Sequence, residues 1–223
     1  MFIKLVGIVR AFLLRPFFGK IGMISYICRP TALYNPKGIF ISKNVRIYPG
    51  VRMETHNNGK IIIEEDVSIG QNFHITASGE NPVKIGKKTT VLGNVFVTNI
   101  DHEYRQIGVH ILRQPFIEKK TEIGENCFIG YGACIQAGTI LGKQCVVGAN
   151  SVVRGIYPDY CVIVGAPAKV VKQYNPEKKH WEKTEYTGCE ESQKNGMNET
   201  YTMRDKKKNE RHLERDWGGG NIS

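Results

Sequence analysis

Residues 117–153 place an aliphatic residue at every sixth position. This register holds without a slip over Ile117, Ile123, Ile129, Ile135, Leu141, Val147 and Val153. Six is three times the two-residue period of a strand, so an extended chain returns to the same face in every repeat, whereas a helix repeats every 3.6 residues. Because one such strand cannot bury its apolar edge alone, we expect successive turns of a coil to stack around a continuous core.

Two further positions of the repeat hold small residues. Glycine directly follows the aliphatic residue in four repeats, at Gly124, Gly130, Gly142 and Gly148. We expect this glycine at a corner of the coil, where a sharp turn can require a positive φ. Another small residue comes four places after the aliphatic one, at Cys127, Ala133, Thr139, Cys145 and Ser151. It fits a narrow interior, so Cys127 and Cys145 are predicted to be buried, reduced thiols of a cytosolic protein.

The same pattern appears earlier in the chain in other registers. Its aliphatic positions are Ile41 and Ile47, then Ile63, Ile69 and Ile75, then Ile85, Val91 and Val97. Breaks between the blocks are predicted to be insertions at coil corners, and in repeat proteins such insertions become surface loops that carry binding sites. The segments concerned are 53–60, 76–82 and 98–116.

Residues 39–171 resemble the hexapeptide-repeat acyltransferases, specifically the maltose/galactoside-type and polysaccharide O-acetyltransferases. The most specific stretch is 115–170, and its end, VGAPAKVV, is similar to the closing G-x-P-A-[KR] signature of that family. The resemblance implies an all-β fold: a single-stranded left-handed parallel β-helix of hexapeptide repeats with an N-terminal helix and a flexible charged C-terminal tail. It also implies a homotrimer with active sites between subunits, acetyl-CoA as the acyl donor, and a sugar or glycan as the acceptor.

A candidate catalytic base lies in the long break at 98–116, which reads TNIDHEYRQIGVHILRQPF. Alignment with the family from Asn94 places His102 on the catalytic histidine, and the D-H-x-H motif of the polysaccharide members keeps only its second histidine here. Acetyl transfer to a hydroxyl needs a group that takes the hydroxyl proton, and neutral imidazole has a pKa of about 6.5, near working pH. His102 is therefore the predicted general base.

The resemblance also suggests residues that bind the two substrates. Small or backbone groups near Gly130, Tyr131, Gly148 and Ala149 would line the pantetheine arm of coenzyme A. The cations Arg154 and Lys169 could meet its phosphates. Acceptor contacts are predicted at His74, Thr76 and Asp101. A related β-helix family binds zinc through three histidines, but His102 and His110 lie eight apart with no third in register, so no metal is predicted.

The N-terminal segment is basic and apolar. Residues 1–46 contain eight Lys and Arg and no Asp or Glu, and cations interrupt every apolar run before the ~20 residues that span a bilayer. This pattern predicts an amphipathic helix that caps the β-helix, contacts an anionic membrane through residues 1–30, or does both. The basic residues carry no aromatic stacking pattern, which argues against a nucleic-acid partner. The expected location is cytoplasmic, with a peripheral position on the inner face of the cell membrane left open.

Three regions follow from these observations: a basic helical segment at 1–38, an acyltransferase domain at 39–171 and a charged tail at 172–223, which is poor in aliphatic residues. The predicted activity is acetyl-CoA-dependent O-acetylation of a sugar hydroxyl in a cell-surface polysaccharide or its precursor. Two alternatives stay open at this point, namely N-acetylation of an amino sugar and a catalytically silent β-helix scaffold.

Overall fold

The fold begins with a helix and continues as a coil of short strands. The computed structural model describes residues 2–184, with side chains from Lys4 onward. Helix α1 spans Phe2–Leu14, and short 3-10 helices follow at Arg15–Phe17, Pro36–Gly38 and Ile111–Arg113. In the part of the chain that the structure describes, no helix is long and apolar enough to cross a membrane.

Three sheets of parallel strands form the body of the protein. The first contains β1 (Lys20–Ile21), β4 (Ile39–Ile41), β7 (Ile61–Ile63), β10 (Val83–Ile85), β15 (Thr121–Ile123), β18 (Ile140–Leu141) and β21 (Ile156–Tyr157). The second contains β2 (Tyr26–Ile27), β5 (Arg46–Ile47), β8 (Ser68–Ile69), β11 (Thr90–Val91), β16 (Phe128–Ile129), β19 (Val146–Val147) and β22 (Cys161–Gly165). The third contains β3 (Ala32–Tyr34), β6 (Arg52–His56), β9 (His74–Ser78), β12 (Phe96–Thr98), β17 (Cys134–Ile135) and β20 (Val152–Val153).

Consecutive strands take one place in each sheet in turn, so three strands make one coil of a parallel β-helix. The register stacks like residues directly on one another: Ile41 pairs with Ile63, Ile63 with Ile85, and Ile85 with Ile123. These side chains are fully or almost fully buried, as are the small residues predicted to face the interior. The sequence prediction of stacked coils around one aliphatic core is therefore confirmed.

One residue of the sixfold series does not belong to the core. Ile117 is half-buried and lies in β14 (Phe116–Glu118), which pairs with β13 (Ile100–His102) in a separate two-stranded sheet. The repeat continues through Ile117 in the sequence, but the β-helix resumes only at β15. Residues His102–Ile117 form a compact unit distinct from the β-helix.

The glycines of the repeat are required for a reason other than the predicted one. Gly124, Gly130, Gly142 and Gly148 are absent from the residues with positive φ. A Cβ atom at Gly124 would lie 2.3 Å from the carbonyl oxygen of Gly142 in the next coil, so the contact between coils excludes a side chain. Positive φ falls instead two residues later, on polar residues such as Asn126 and Gln144. Asparagine tolerates this left-handed conformation better than most residues because its side chain can hydrogen-bond locally.

Described strands extend beyond both predicted boundaries of the β-helix domain. Its first coil, β1 to β3, precedes residue 39, because β1 already pairs in parallel with β4. At the other end, β23 (Ala168–Asn175) reverses direction, pairs antiparallel with β22, and is joined by β24 (His180–Lys183). The predicted flexible tail therefore starts with an ordered hairpin, and its remainder from residue 185 lies outside the described residues.

The thiols of the described chain are not cross-linked. Cys28, Cys127, Cys134, Cys145 and Cys161 are free, and all but Cys134 are buried. The Sγ atoms of Cys145 and Cys161 lie 3.5 Å apart at the same interior position of successive coils. The hydrogen bond with the neighbouring thiol of Cys145 raises the pKa of the Cys127 thiol, and burial in this apolar column raises it further.

Candidate active site

The chain leaves the β-helix at a fully buried asparagine. Asn99 follows β12, and its side-chain Oδ1 accepts a hydrogen bond from the Ser78 amide at 2.9 Å. Its Nδ2 donates to the carbonyl oxygens of Ser78 and Asn81, both at 2.8 Å. One amide group thus satisfies both backbone groups of the buried Ser78 and a partly buried carbonyl oxygen of Asn81. The repeat gives no signal for this role of Asn99, which was not predicted.

A second set of hydrogen bonds holds the segments on both sides of this departure point. The Ser78 hydroxyl donates to Glu118 Oε1 at 2.5 Å and accepts from Asn57 Nδ2 at 3.1 Å. The Thr121 hydroxyl donates to the carbonyl oxygen of Thr98 at 3.0 Å. Side chains from three insertions therefore converge, because residues 57, 78 and 118 each lie near a register break. These bonds join the residues that flank the excursion, Thr98, Asn99, Glu118 and Thr121, to neighbouring parts of the chain outside it.

Polar groups cluster on the outer face of the third sheet. His74 Nε2 lies 3.5 Å from Glu54 Oε2 and 3.2 Å from the Thr76 hydroxyl, and its ring lies 5.0 Å from that of Phe96. The carboxylate of Glu54 is also held by Arg52, at 2.6 Å. Two of the predicted acceptor contacts, His74 and Thr76, are thus side by side, and Glu54 joins them.

The pKa values of His74 and Glu54 in this cluster are both lowered. Burial lowers the pKa of His74, and the hydrogen bond and charge of Glu54 offset only part of that effect. Burial acts to raise the pKa of Glu54, but the hydrogen bonds and charges of Arg52 and His74 outweigh it and lower the pKa overall. At neutral pH the face therefore presents a neutral imidazole next to an ionised carboxylate, an arrangement that can accept hydrogen bonds from sugar hydroxyls.

Asp101 and Arg154 lie together rather than at separate subsites. Arg154 follows β20 and its guanidinium contacts Asp101 Oδ2, while Lys119 Nζ lies 3.8 Å from the same oxygen. The family resemblance assigns Asp101 to the acceptor and Arg154 to the phosphates of the donor. The structure pairs the two side chains, so each residue influences the charge that the other presents.

The four small or backbone positions predicted for the donor share one corner of the coils. Gly130 and Tyr131 follow β16, and Gly148 and Ala149 follow β19 in the next coil. A Cβ at Gly130 would lie 2.6 Å from the Ala149 amide nitrogen, so these segments are in direct contact. Lys169 pairs with Val164 of β22, one coil farther along. Arg154 lies at a different corner, after the third sheet, and is not brought together with this group.

The excursion His102–Ile117 has its own internal order. His102 is exposed, and its ring packs edge-on against Phe116 with ring centroids 5.0 Å apart. The side chain of Gln114 is buried. Its Oε1 accepts a hydrogen bond from the Gln106 backbone N–H at 3.2 Å, and its Nε2 donates to the backbone carbonyl oxygens of Gln106 at 3.2 Å and Val109 at 3.0 Å. His110 is committed locally, since its Nδ1 accepts from the Leu112 amide at 3.2 Å. Of His102 and His110, only His102 has no described hydrogen bond to either ring nitrogen. Both of its nitrogens are therefore available to an external ligand.

Metal ligands do not cluster in the described part of the chain, where no group of three or more His, Cys, Asp or Glu side chains is placed to hold an ion.

Comparison with known proteins gives a consistent class. The family model described as the hexapeptide repeat of succinyl-transferase matches residues 60–99 and 120–154. WbbJ of Escherichia coli K12, which bears the name of a lipopolysaccharide biosynthesis O-acetyl transferase, is 33% identical over 189 residues, covering 82% of this chain and 93% of WbbJ. Galactoside O-acetyltransferase of the same organism is 28% identical over 124 residues, covering 52% of this chain and 58% of that enzyme.

A solved structure shares the fold. AntD, an N-acyltransferase from Bacillus cereus crystallised with dTDP and 3-hydroxybutyryl-CoA, superposes with a TM-score of 0.63 at 19% identity, covering 76% of this chain and 90% of AntD. The chain belongs to the hexapeptide-repeat acyltransferases, as its residues indicated. It is an acetyltransferase whose acyl donor is acetyl-CoA.

Proposed function

We propose that this protein transfers the acetyl group of acetyl-CoA to a sugar hydroxyl of a cell-surface polysaccharide or its precursor, with His102 as the general base. The observation that carries the proposal is the exposed imidazole of His102 in an ordered excursion that interrupts the repeat. The name of WbbJ supports a surface glycan as the acceptor. The polar face formed by His74, Thr76 and Glu54 supports a sugar ligand.

The chemistry assigned to His102 is a proton relay. Its neutral imidazole takes the proton of the acceptor hydroxyl as the oxygen attacks the thioester carbonyl carbon. The tetrahedral intermediate collapses with cleavage of the C–S bond, and the imidazolium returns the proton to the departing thiolate of coenzyme A. The base is regenerated, and the products are an O-acetyl sugar and free coenzyme A.

The donor is proposed to lie along the corner of Gly130, Tyr131, Gly148 and Ala149, with Lys169 meeting a phosphate. Gly130, Gly148 and Ala149 place little side-chain bulk at this corner, which supports a thin, extended ligand such as the pantetheine arm. We further propose a homotrimer in which active sites form between subunits, as the family resemblance implies. The subunit number is measured directly by light scattering on the eluting protein, and a monomer that turns over at full rate would exclude a shared site.

The test of the base uses two histidines of the same excursion. Free thiol release from acetyl-CoA is measured against a panel of sugars and glycan fragments for wild type, His102→Ala and His110→Ala. We expect acceptor-dependent turnover that falls by at least about 100-fold in His102→Ala, because a general base contributes roughly 10²–10⁴ in rate. His110→Ala serves as the matched control and should retain turnover. Equal turnover of wild type and His102→Ala would exclude His102 as the base.

A second experiment separates the roles of the paired residues. Asp101→Asn removes the charge that faces Arg154. It is expected to raise KM for the acceptor and to leave KM for acetyl-CoA unchanged, because both residues lie at a different corner from the proposed donor site. A rise in KM for acetyl-CoA alone would contradict both assignments.

A further inference from the structure

Helix α1 packs on the β-helix with small residues and exposes its large ones. Gly7 and Ala11 are buried, and a Cβ at Gly7 would lie 3.2 Å from Cβ of Tyr26 in β2. Arg10 donates to the carbonyl oxygen of Ile27 at 3.4 Å. A surface helix of a soluble protein usually turns its apolar stripe toward the core. In α1 the face that packs on the β-helix is narrow and consists of small residues.

The opposite side of α1 is a continuous apolar surface. Its exposed side chains are Leu5, Val6, Ile8, Val9, Phe12 and Leu13. At 100° per residue these six lie within about half of the helix circumference, opposite Gly7 and Ala11. Phe12 and Leu13 are 65% and 64% exposed. We refer to this surface as the outer face of α1.

The turn that leads into β2 extends the apolar character of this end. Met23 and Ile24 are 71% and 75% exposed, and Ile24 has φ of 60°. A β-branched residue in the left-handed region is unfavourable, so this turn holds an apolar side chain in solvent at a conformational cost. Phe17, after the helix, is exposed as well.

The charge around the outer face has one sign. The sequence up to residue 53 contains nine Lys and Arg and no Asp or Glu. Among the described residues, Lys4, Arg15, Lys20 and Arg29 are exposed and form no ion pair. A second copy docking through the same face would set positive charge against positive charge. An anionic lipid surface would offer both apolar depth and opposite charge.

We propose that the outer face of α1 inserts in the plane of an anionic lipid surface and holds the protein there as a peripheral membrane protein. The helix has 13 residues and a length of about 20 Å, which suits a flat orientation at the interface rather than a span. Its large apolar side chains enter the acyl boundary, and the flanking cations meet lipid phosphates. This interaction does not depend on the acetyl-transfer reaction.

The test is flotation of the full-length protein with vesicles. Wild type is mixed with vesicles of equal parts phosphatidylcholine and phosphatidylglycerol, or of phosphatidylcholine alone, and the bound fraction is measured after a density gradient. The variants are Phe12→Glu/Leu13→Glu, Arg15→Glu/Lys20→Glu, and Ile156→Glu, which replaces an equally exposed apolar residue of β21. The substituted positions are exposed, and circular dichroism checks that each variant is folded.

We expect wild type to float with the anionic vesicles only. Phe12→Glu/Leu13→Glu should weaken partitioning by at least roughly tenfold, because two large apolar side chains no longer leave water. Arg15→Glu/Lys20→Glu should remove the preference for phosphatidylglycerol, and Ile156→Glu should bind like wild type. Failure of wild type to float, or equal flotation of Phe12→Glu/Leu13→Glu, would overturn the proposal. A lower subunit number in Phe12→Glu/Leu13→Glu would instead identify a second copy as the occupant.

A parallel assay keeps this inference separate from the proposed reaction. Turnover on a soluble sugar acceptor should be the same in wild type and in Phe12→Glu/Leu13→Glu, since α1 has no role in the chemistry. Loss of flotation with normal turnover is the result that supports membrane docking. Loss of turnover with normal flotation would contradict membrane docking and would show that α1 is needed for the reaction.

Discussion

Replacement of Asn99 by alanine should release the point at which the excursion leaves the β-helix. Truncation removes one acceptor and two donors, leaving the Ser78 amide and the carbonyl oxygens of Ser78 and Asn81 without these partners. A buried backbone group left unpaired costs about 1–3 kcal/mol, and each lost hydrogen bond contributes about 1 kcal/mol net. With partial replacement by water, we expect the local cost to be about 3 kcal/mol, which is roughly 150-fold in an equilibrium constant.

Amide hydrogen exchange at Ser78 measures this cost directly, because the Ser78 N–H donates to the Asn99 side chain. Exchange should be faster by roughly 150-fold in Asn99→Ala if local opening limits it. Asn99→Asp keeps the size and the acceptor but cannot donate when ionised, and it places a charge against two carbonyl oxygens. It should therefore destabilise the site at least as much at neutral pH. A loss of packing volume alone would spare Asn99→Asp.

The matched control is Asn57→Gly, because glycine tolerates the φ of 48° at this position and the change removes one partly buried hydrogen bond to the Ser78 hydroxyl. Water can replace that bond, so the change should cost less than about 1 kcal/mol. If Ser78 exchange in folded Asn99→Ala is within about threefold of wild type, the assignment of Asn99 as the anchor is wrong.

Two other predictions follow from the contacts described. Gly124→Ala should lower the free energy of unfolding by about 3 kcal/mol, because its Cβ would meet the backbone of Gly142 at 2.3 Å. Gly93→Ala meets Gln71 at 3.1 Å and should cost about 1 kcal/mol in the same urea titration, so equal effects would contradict the coil-contact argument. In an NMR titration, His74 should have a pKa below the ordinary histidine value, and Glu54→Gln should lower that pKa further, because the carboxylate favours the imidazolium. An unchanged or higher pKa in Glu54→Gln would show that the pair is not formed. Because the folded state favours neutral His74, this group removes stability as the pH falls below its unfolded pKa.

The repeat was readable because one residue type recurs at one structural position. Ile123, Ile129 and Ile135 were predicted to face the interior and are fully buried. The period also exists in the first coil, at Ile21 and Ile27, where the apolar composition of the preceding helix hides it. Ile117 shows the converse: it keeps the period but lies in the excursion. Spacing alone cannot distinguish a coil from a segment that leaves it.

The site was less predictable because its contacts join residues far apart in the chain. His74 and Thr76 share a strand face, so two-residue alternation is sufficient to place them side by side. The pair formed by Asp101 and Arg154 spans 53 positions and depends on how the excursion departs. The convergence on Ser78 likewise requires three insertions of particular lengths. Such contacts follow from the path of the chain and have no periodic signature.

The two ends of the β-helix suggest why the outer face of α1 has a role of its own. A stack of coils ends in unpaired strand edges, which invite association unless they are covered. At the C-terminal end, β23 and β24 cover β22 through backbone hydrogen bonds and expose mainly polar side chains. At the N-terminal end, Gly7 and Ala11 already bring α1 against β2. Capping therefore accounts for the small residues of the helix, and polar residues on its other side would have served that purpose equally well. That side instead carries large apolar side chains, and the sequence around them contains Lys and Arg but no Asp or Glu. Capping does not explain this combination, whereas binding to an anionic lipid surface does.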